Sequence, residues 1–423
     1  MTLLVIVTLL LILLAAGVPV AFALGGLGTA LLVAKGLPLV MVAQNLHGAI
    51  DNFVLIAVPL FLLMSNVLLK GGVGRDLFDA VQSWVGHLPG GLGIAALLSC
   101  GIFSAISGSS VATAATVGTV AIPEMTRRGY SRSFTLGMLA AGGTLGILIP
   151  PSIPLIVYGV ITEQSIGALF LAGVGPGLLL IVMFGAYGMI VAWLTGQGGS
   201  TEPTSWPERR RASLRASPTV GLSVIMLGGI YSGAFTPTEA AAIGAVCALL
   251  LTAFGLRTLS WTTFREAVSQ TLVTTIVLFL IVIGAKIFGK AVTLYQVPAQ
   301  VAQLVDTHVA DVTVFLLIAA GILLFIGLFL ESLSMLLIMV PVLLPTVLGL
   351  GIDPVWFGIF FVLLIEIALI TPPVGLNLFV IQAVARAPLG TVVKGVVPFV
   401  ILMLSAVVLI TMFPMVVLYL PFG

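Results

Sequence analysis

The residues with chemistry to offer are few and clustered. Ser104, Ser107, Ser109, Ser110, Thr113 and Thr116 place six hydroxyls and one glycine, Gly108, inside an apolar stretch running from 91 to 123. At membrane depth, hydroxyls and any freed carbonyls are hard oxygen ligands that suit Na⁺. A helix that restarts beyond such a break offers N–H groups and a positive dipole end to an anion. Gly142-Gly143-Thr144-Leu145-Gly146 leads into Pro150-Pro151-Ser152. Two adjacent prolines remove two backbone donors and clash with the preceding turn, so that helix must unwind. Thr371-Pro372-Pro373-Val374-Gly375-Leu376-Asn377 repeats the device. Glu331-Ser332-Leu333-Ser334 and Glu366 are acids inside apolar runs, which by default mark function. Close packing by small residues is the competing, less favoured reading of the first cluster, and plain proline kinks that of the two breaks.

The elements that position these groups follow from composition. Of 423 residues, 60% are hydrophobic and 7% charged, with 48 glycines and 23 prolines. A soluble domain carries about 25% charged residues, so this chain is read as lipid-embedded. Spans of about 20 apolar residues are expected near 2–16, 18–34, 52–69, 133–160, 167–195, 218–233, 236–256, 269–288, 355–382 and 395–419, the first two short enough to be one bent element. The N-terminus reads as a first transmembrane segment rather than a removable signal peptide. Stretches 91–123 and 313–346 are too long for one helix and too interrupted for one span.

Lys and Arg assign orientation. With Lys70 and Arg75 on the cytoplasmic side, Arg127, Arg128, Arg132, Arg209, Arg210, Arg211, Arg215, Arg257, Arg265, Arg386 and Lys394 share that side, provided that 91–123 and 313–346 each turn back as a re-entrant hairpin. Only Lys35, Lys286 and Lys290 fall opposite. The polar stretch 196–217 reads as a cytoplasmic linker, 76–88 as an interfacial helix, and 295–309 (Val297, Val301, Leu304, Val305) as a weaker counterpart.

An internal repeat supports the hairpins. Pro123 and Pro150-Pro151 recur as Pro345 and Pro372-Pro373 at one offset of 222 residues, which also pairs Ser109 with Glu331. The basic loop Arg127–Arg132 is matched by a stretch without Lys or Arg. A repeated fold with reversed charge bias is expected of inverted-topology halves, whose sites lie at broken helices near the midplane. The fold class is therefore an all-α polytopic membrane protein with inverted repeats, two re-entrant hairpins and two discontinuous helices. Its organisation is expected as scaffold helices in 1–90, hairpin and broken helix in 91–165, further scaffold in 166–312, the second hairpin and broken helix in 313–385, and a C-terminal scaffold helix in 386–423.

Other chemistries find no support. Cys100 and Cys247 sit alone, the three histidines fit no metal spacing, and no segment reads as a nucleic-acid arm. Gly284-Ala285-Lys286-Ile287-Phe288-Gly289-Lys290-Ala291 nearly fits a phosphate-binding loop but ends in Ala and follows no strand. Neither an ATPase nor any other enzyme is expected.

The run Ser107–Thr116, the motif Gly146-x-x-x-Pro-Pro-Ser-Ile with Tyr158-Gly159, and Thr-Pro-Pro-Val-Gly-x-Asn-Leu together resemble the large membrane subunit of the tripartite ATP-independent periplasmic (TRAP) transporters, over essentially the whole chain. The resemblance implies an elevator-type secondary transporter of the bacterial inner membrane, with Na⁺ as coupling ion and no cofactor. It implies two partners: a small four-helix membrane subunit, and a periplasmic protein that delivers an organic acid such as a C4-dicarboxylate or sialic acid. It puts Ser107, Gly108, Ser109 and Ser110 on the first hairpin tip and Gly146, Pro150 and Ser152 at the facing break. Glu331, Ser332 and Ser334 fall on the second tip, with Thr371, Pro372, Gly375 and Asn377 at its break. Na⁺ is expected at Ser107, Gly108, Ser109, Gly146 and Pro150, and again at Glu331, Ser332, Thr371, Pro372 and Gly375. Substrate is expected at Ser109, Ser110, Thr113, Pro151 and Ser152, and at Ser334, Pro373 and Asn377. The family pattern carries Asp where this chain has Glu331, and often in place of Thr113. The alternatives are a stand-alone Na⁺–carboxylate symporter of the same architecture, a channel, or a membrane scaffold.

Overall fold

A computed structural model describes residues 2–197, 203–300, 303 and 311–423. Every regular element among them is helical. In chain order these are α1 (Thr2–Ala15), α2 (Val20–Ala34), α3 (Val40–Ile50), α4 (Ala57–Lys70), α5 (Val73–Val85), α6 (Gly91–Ser107), α7 (Ser110–Arg127), α8 (Arg132–Leu148), α9 (Ile153–Thr162) and α10 (Ile166–Thr195). There follow α11 (Trp206–Tyr231), α12 (Pro237–Leu250), α13 (Trp261–Leu294), α14 (Val312–Gly327), α15 (Ser332–Gly349), α16 (Pro354–Leu369), α17 (Leu376–Ala385), α18 (Leu389–Met412) and α19 (Met415–Phe422). Eight helical segments among the described residues are long and apolar enough to cross a bilayer.

Several boundaries differ from expectation, each for a local reason. The first two apolar segments are separate helices, because Gly17 adopts φ +79° and Pro19 precedes α2. Helix α3 was hidden by Gln44, Asn45 and His47. The stretch 196–217 is not a linker throughout: α11 begins at Trp206, where Glu208 accepts hydrogen bonds from Ser205 N (3.3 Å) and Ser205 Oγ (2.8 Å). Arg209, Arg210, Arg211 and Arg215 therefore stand on a helix, with Arg209 over the Trp84 ring. Residues 269–288 are the middle of the 34-residue α13, which also absorbs the phosphate-loop look-alike whole. Beyond Met412, Pro414 separates α18 from α19. Val301, Leu304 and Val305 of the weaker interfacial segment lie outside the described residues.

Two helix pairs and two broken helices build the centre. Helices α6 and α7 pack together and against α8, and α14 and α15 do the same with α16. The two sets then cross. Helix α7 packs on α17, and α15 packs on α9, while α8 meets α16 directly. Tyr158 of α9, fully buried, donates to Pro354 O at the start of α16 (2.6 Å). Each post-break helix thus lies in the other set's groove.

Around this centre, α2, α3 and α4 pack on α13, α12 packs on α4, and α11 on α5. Helix α18 lies along α8, where glycines let backbones touch: a Cβ at Gly137 would stand 2.7 Å from Gly395 Cα. Small residues are how helices in lipid gain close contact.

Candidate functional site

The first hairpin turns in two residues. Gly108 takes φ +59°, a left-handed conformation that favours glycine. Ser109 then caps α7, its Oγ accepting from Ala112 N at 3.4 Å. This tip seats on the break between α8 and α9. A Cβ at Gly108 would stand 2.6 Å from Pro151 O, and one at Gly146 would stand 2.5 Å from Ser109 O and 2.8 Å from Thr113 Oγ1. The close approach explains both glycines.

Three oxygens meet there. Thr113 Oγ1 donates to Ser109 O (2.9 Å) and lies 2.8 Å from Ser107 Oγ, which is 3.4 Å from Ser109 O. Pro150 removes the donor that would have served the Gly146 carbonyl in an unbroken helix. Ser152 restarts the helix: its Oγ accepts from Leu155 N (3.3 Å) and donates to Ile147 O, which lost its own donor to Pro151. Ser107, Ser110, Thr113, Pro150, Pro151 and Ser152 are all buried. The structure thus brings Ser107, Gly108, Ser109, Thr113, Gly146 and Pro151 into one junction, flanked by Ser110, Pro150 and Ser152.

The second set is built differently. Glu331 caps α15, as Ser109 caps α7 at the offset of 222. Its Oε1 accepts from Ser334 N (3.0 Å) and Ser334 Oγ (2.9 Å). Thr371 donates back to Ile367 O (2.6 Å), and Gly375 opens α17 at φ +26° with no side-chain cap. Pro372 and Pro373 are exposed, unlike their buried counterparts. The hairpin does approach α16, where a Cβ at Gly327 would meet Ala368 Cβ at 2.5 Å. No hydrogen bond among the described residues joins Glu331, Ser332 or Ser334 to Thr371, Pro372, Pro373, Gly375 or Asn377. Asn377 instead reaches the first broken helix, its Nδ2 donating to Ala140 O (3.3 Å). Both prolyl bonds, Pro150-Pro151 and Pro372-Pro373, are cis.

One residue outside the expected site belongs beside it. Glu366 on α16 is fully buried, and among the described residues neither carboxylate oxygen has a hydrogen-bond partner of normal geometry. Its polar neighbour is Thr144 on α8, whose hydroxyl donates to Ala141 O (2.8 Å). Residue 144 plus the 222-residue offset is 366, so repeat-equivalent positions face each other where α8 meets α16. The sequence held that signal, but only a known crossing turns an offset into a contact.

Comparison with known proteins places this geometry. Residues 7–416 match the family described as "Tripartite ATP-independent periplasmic transporter, DctM component". The C4-dicarboxylate TRAP transporter large permease protein DctM of Pseudomonas aeruginosa is 42% identical over 387 residues, 90% of this chain and 88% of that one. The isethionate TRAP transporter permease protein DctMQ of Oleidesulfovibrio alaskensis is 39% identical over 399 residues, 94% of this chain; the chain spans 63% of that relative's length. Among solved structures, the YdaH transporter of Alcanivorax borkumensis superposes with a TM-score of 0.66 at 16% identity, covering 88% of this chain and 87% of that one, a likeness of fold alone. With eight helices among the described residues long and apolar enough to cross a bilayer, the protein is a multi-pass inner-membrane transport subunit rather than an enzyme. The chain belongs to the DctM component family of the tripartite ATP-independent periplasmic transporters.

Proposed function

We propose that this chain is the large membrane subunit of a Na⁺-coupled importer of an organic acid, a C4-dicarboxylate, sialic acid or related carboxylate. A periplasmic binding protein delivers the acid, and a small four-helix membrane subunit completes the assembly. The observation that carries the reading is the first junction. A buried junction collects the Ser107 and Thr113 hydroxyls and the Ser109 carbonyl against an unwound helix that has lost two donors. Such oxygens suit a cation that has shed water, and irregular backbone survives at membrane depth only where it is buried or lines a cavity. Glu331, Ser332, Thr371, Pro372 and Gly375 form the second cation locus once the second tip closes on its break. A bound cation offsets the charge of the arriving carboxylate, which is held by Ser109, Ser110, Thr113, Pro151 and Ser152, with Ser334, Pro373 and Asn377 from the other half.

The crossed packing favours inverted halves moving as one body. In that reading residues 91–165 and 313–385 travel as an elevator with both re-entrant hairpins, against scaffold from 1–90, 166–312 and 386–423. Uptake by proteoliposomes holding both membrane subunits, with the binding protein outside, tests the coupling. Uptake should require a Na⁺ gradient and fall sharply in Ser109→Ala plus Thr371→Ala. Undiminished uptake without Na⁺, or in that double variant, would overturn the ion assignment.

A further inference from the structure

Of the three basic residues that break the charge bias, one is accounted for. Lys35 hydrogen-bonds the Leu294 carbonyl at the end of α13 and lies over the Tyr295 ring, 5.0 Å from its centroid. Among the described residues, Lys286 and Lys290 have no such partners. They stand one turn apart on α13, where like charges repel. The ion pairs among the described residues are Lys70–Glu266, Arg127–Glu124 and Arg128–Glu124, and none involves them.

Lys286 and Lys290 both line a crevice of about 320 Å³. Asn45 of α3 and Thr293 of α13 add polar groups to the same side. The opposite wall is apolar and comes from α9, through Val157, and from α15, through Leu337. Those two helices begin at Ser152 and just after Glu331, the capping residues of the first break and the second tip. At about 1.5 Å per residue, Val157 and Leu337 lie roughly 7–9 Å along their helices from those caps. The crevice therefore lies between two cations that have no ion-pair partner among the described residues and the helices that carry both loci of the proposed site.

We propose that this crevice is an anion vestibule, in which Lys286 and Lys290 hold the carboxylate of the transported acid before it reaches the hairpin tips. The inference rests on the organic-acid reading above. Long-range attraction raises the local concentration of a charged ligand, and a site built from two ammoniums selects charge without selecting the rest of the molecule.

Amine-selective labelling of the full chain, read by mass spectrometry, tests this without requiring transport. In vesicles of zwitterionic phospholipid, saturating succinate should slow labelling of Lys286 and Lys290 about tenfold, a range set by charge-assisted hydrogen bonds, and leave Lys70 and Lys394 unchanged. Equal labelling with and without succinate overturns the vestibule. Protection by anionic phospholipid with no further effect of succinate also overturns it, since the ligand is then a lipid phosphate. In the assembled transporter, Lys286→Gln plus Lys290→Gln should raise KM about tenfold at similar maximal rate, with Lys286→Arg plus Lys290→Arg restoring it. An unchanged KM overturns the role in uptake. Succinate protection in a protein whose uptake ignores Na⁺ would instead count against the coupling reading alone.

Discussion

The two hairpin–break junctions share a plan and differ in closure. At the first, a glycine at 146 lets the Ser109 carbonyl and the Thr113 hydroxyl press against the broken helix, and both prolines are buried. At the second, position 368 is alanine, the prolines are exposed, and the tip's acid is engaged within its own turn. Both junctions satisfy their broken backbone with neighbours in sequence: Ser152 Oγ donates to Ile147 O at the first and Thr371 Oγ1 to Ile367 O at the second. The difference lies in how closely the tip is packed on its break. A tip pressed onto facing backbone must lift that contact before it opens, whereas a tip whose break is exposed has less to lift.

The largest effect expected from testing that contrast is at Gly146. In Gly146→Ala the new methyl meets a backbone carbonyl that cannot yield. Overpacking should cost about 1–3 kcal/mol and lower uptake at least tenfold, read by thermal unfolding and proteoliposome flux. At the equivalent second position, Ala368→Gly should leave flux near normal; similar losses at both sites would erase the distinction. Thr113→Val comes next. It removes one buried hydroxyl and its two hydrogen bonds, while Ser109 O keeps the residue 113 backbone N–H at 3.1 Å; it should cost about 1 kcal/mol and raise the Na⁺ concentration for half-maximal uptake.

A smaller effect separates the caps. Glu331→Ala should destabilise by about 1 kcal/mol, and Ser109→Ala by less, because the Ser109 cap is 3.4 Å long against 3.0 Å for Glu331. Denaturant midpoints of the two variants order them. The smallest is Glu366→Gln, which keeps the shape and an acceptor oxygen beside Thr144, so the change should stay within about 1 kcal/mol. Glu366→Ala, which also empties the side chain's volume, is the control and should cost more than Gln. If Gln were as damaging as Ala, the carboxylate would have a charge-dependent role.

Much of the plan that the two junctions share is legible in the sequence. The doubled prolines, the tip at Gly108 and the offset of 222 residues are local or periodic signals, and they located both helix pairs to within a few residues. Ser205-Trp206-Pro207-Glu208 was also legible as a capping box, yet the arginines that follow masked the helix as a loop. What could not be read is closure. Whether a tip rests on its break depends on a carbonyl meeting a glycine across some 40 residues, and nothing in composition reports that distance. The meeting of Thr144 with Glu366 is the same kind of fact.

The crossed packing also sets a schedule for biogenesis. Helix α7 finds its groove only when α17 exists, and α9 waits for α15. With the halves 222 residues apart, that interval is roughly 10–45 s at about 5–20 residues per second. For that time the first half carries Gly118, Tyr158 and its hydroxyl-lined tip without the surfaces that later cover them. The insertion machinery must shelter a polar, unfinished unit in or beside the bilayer, so errors in this protein should concentrate in the window between synthesis of its two halves.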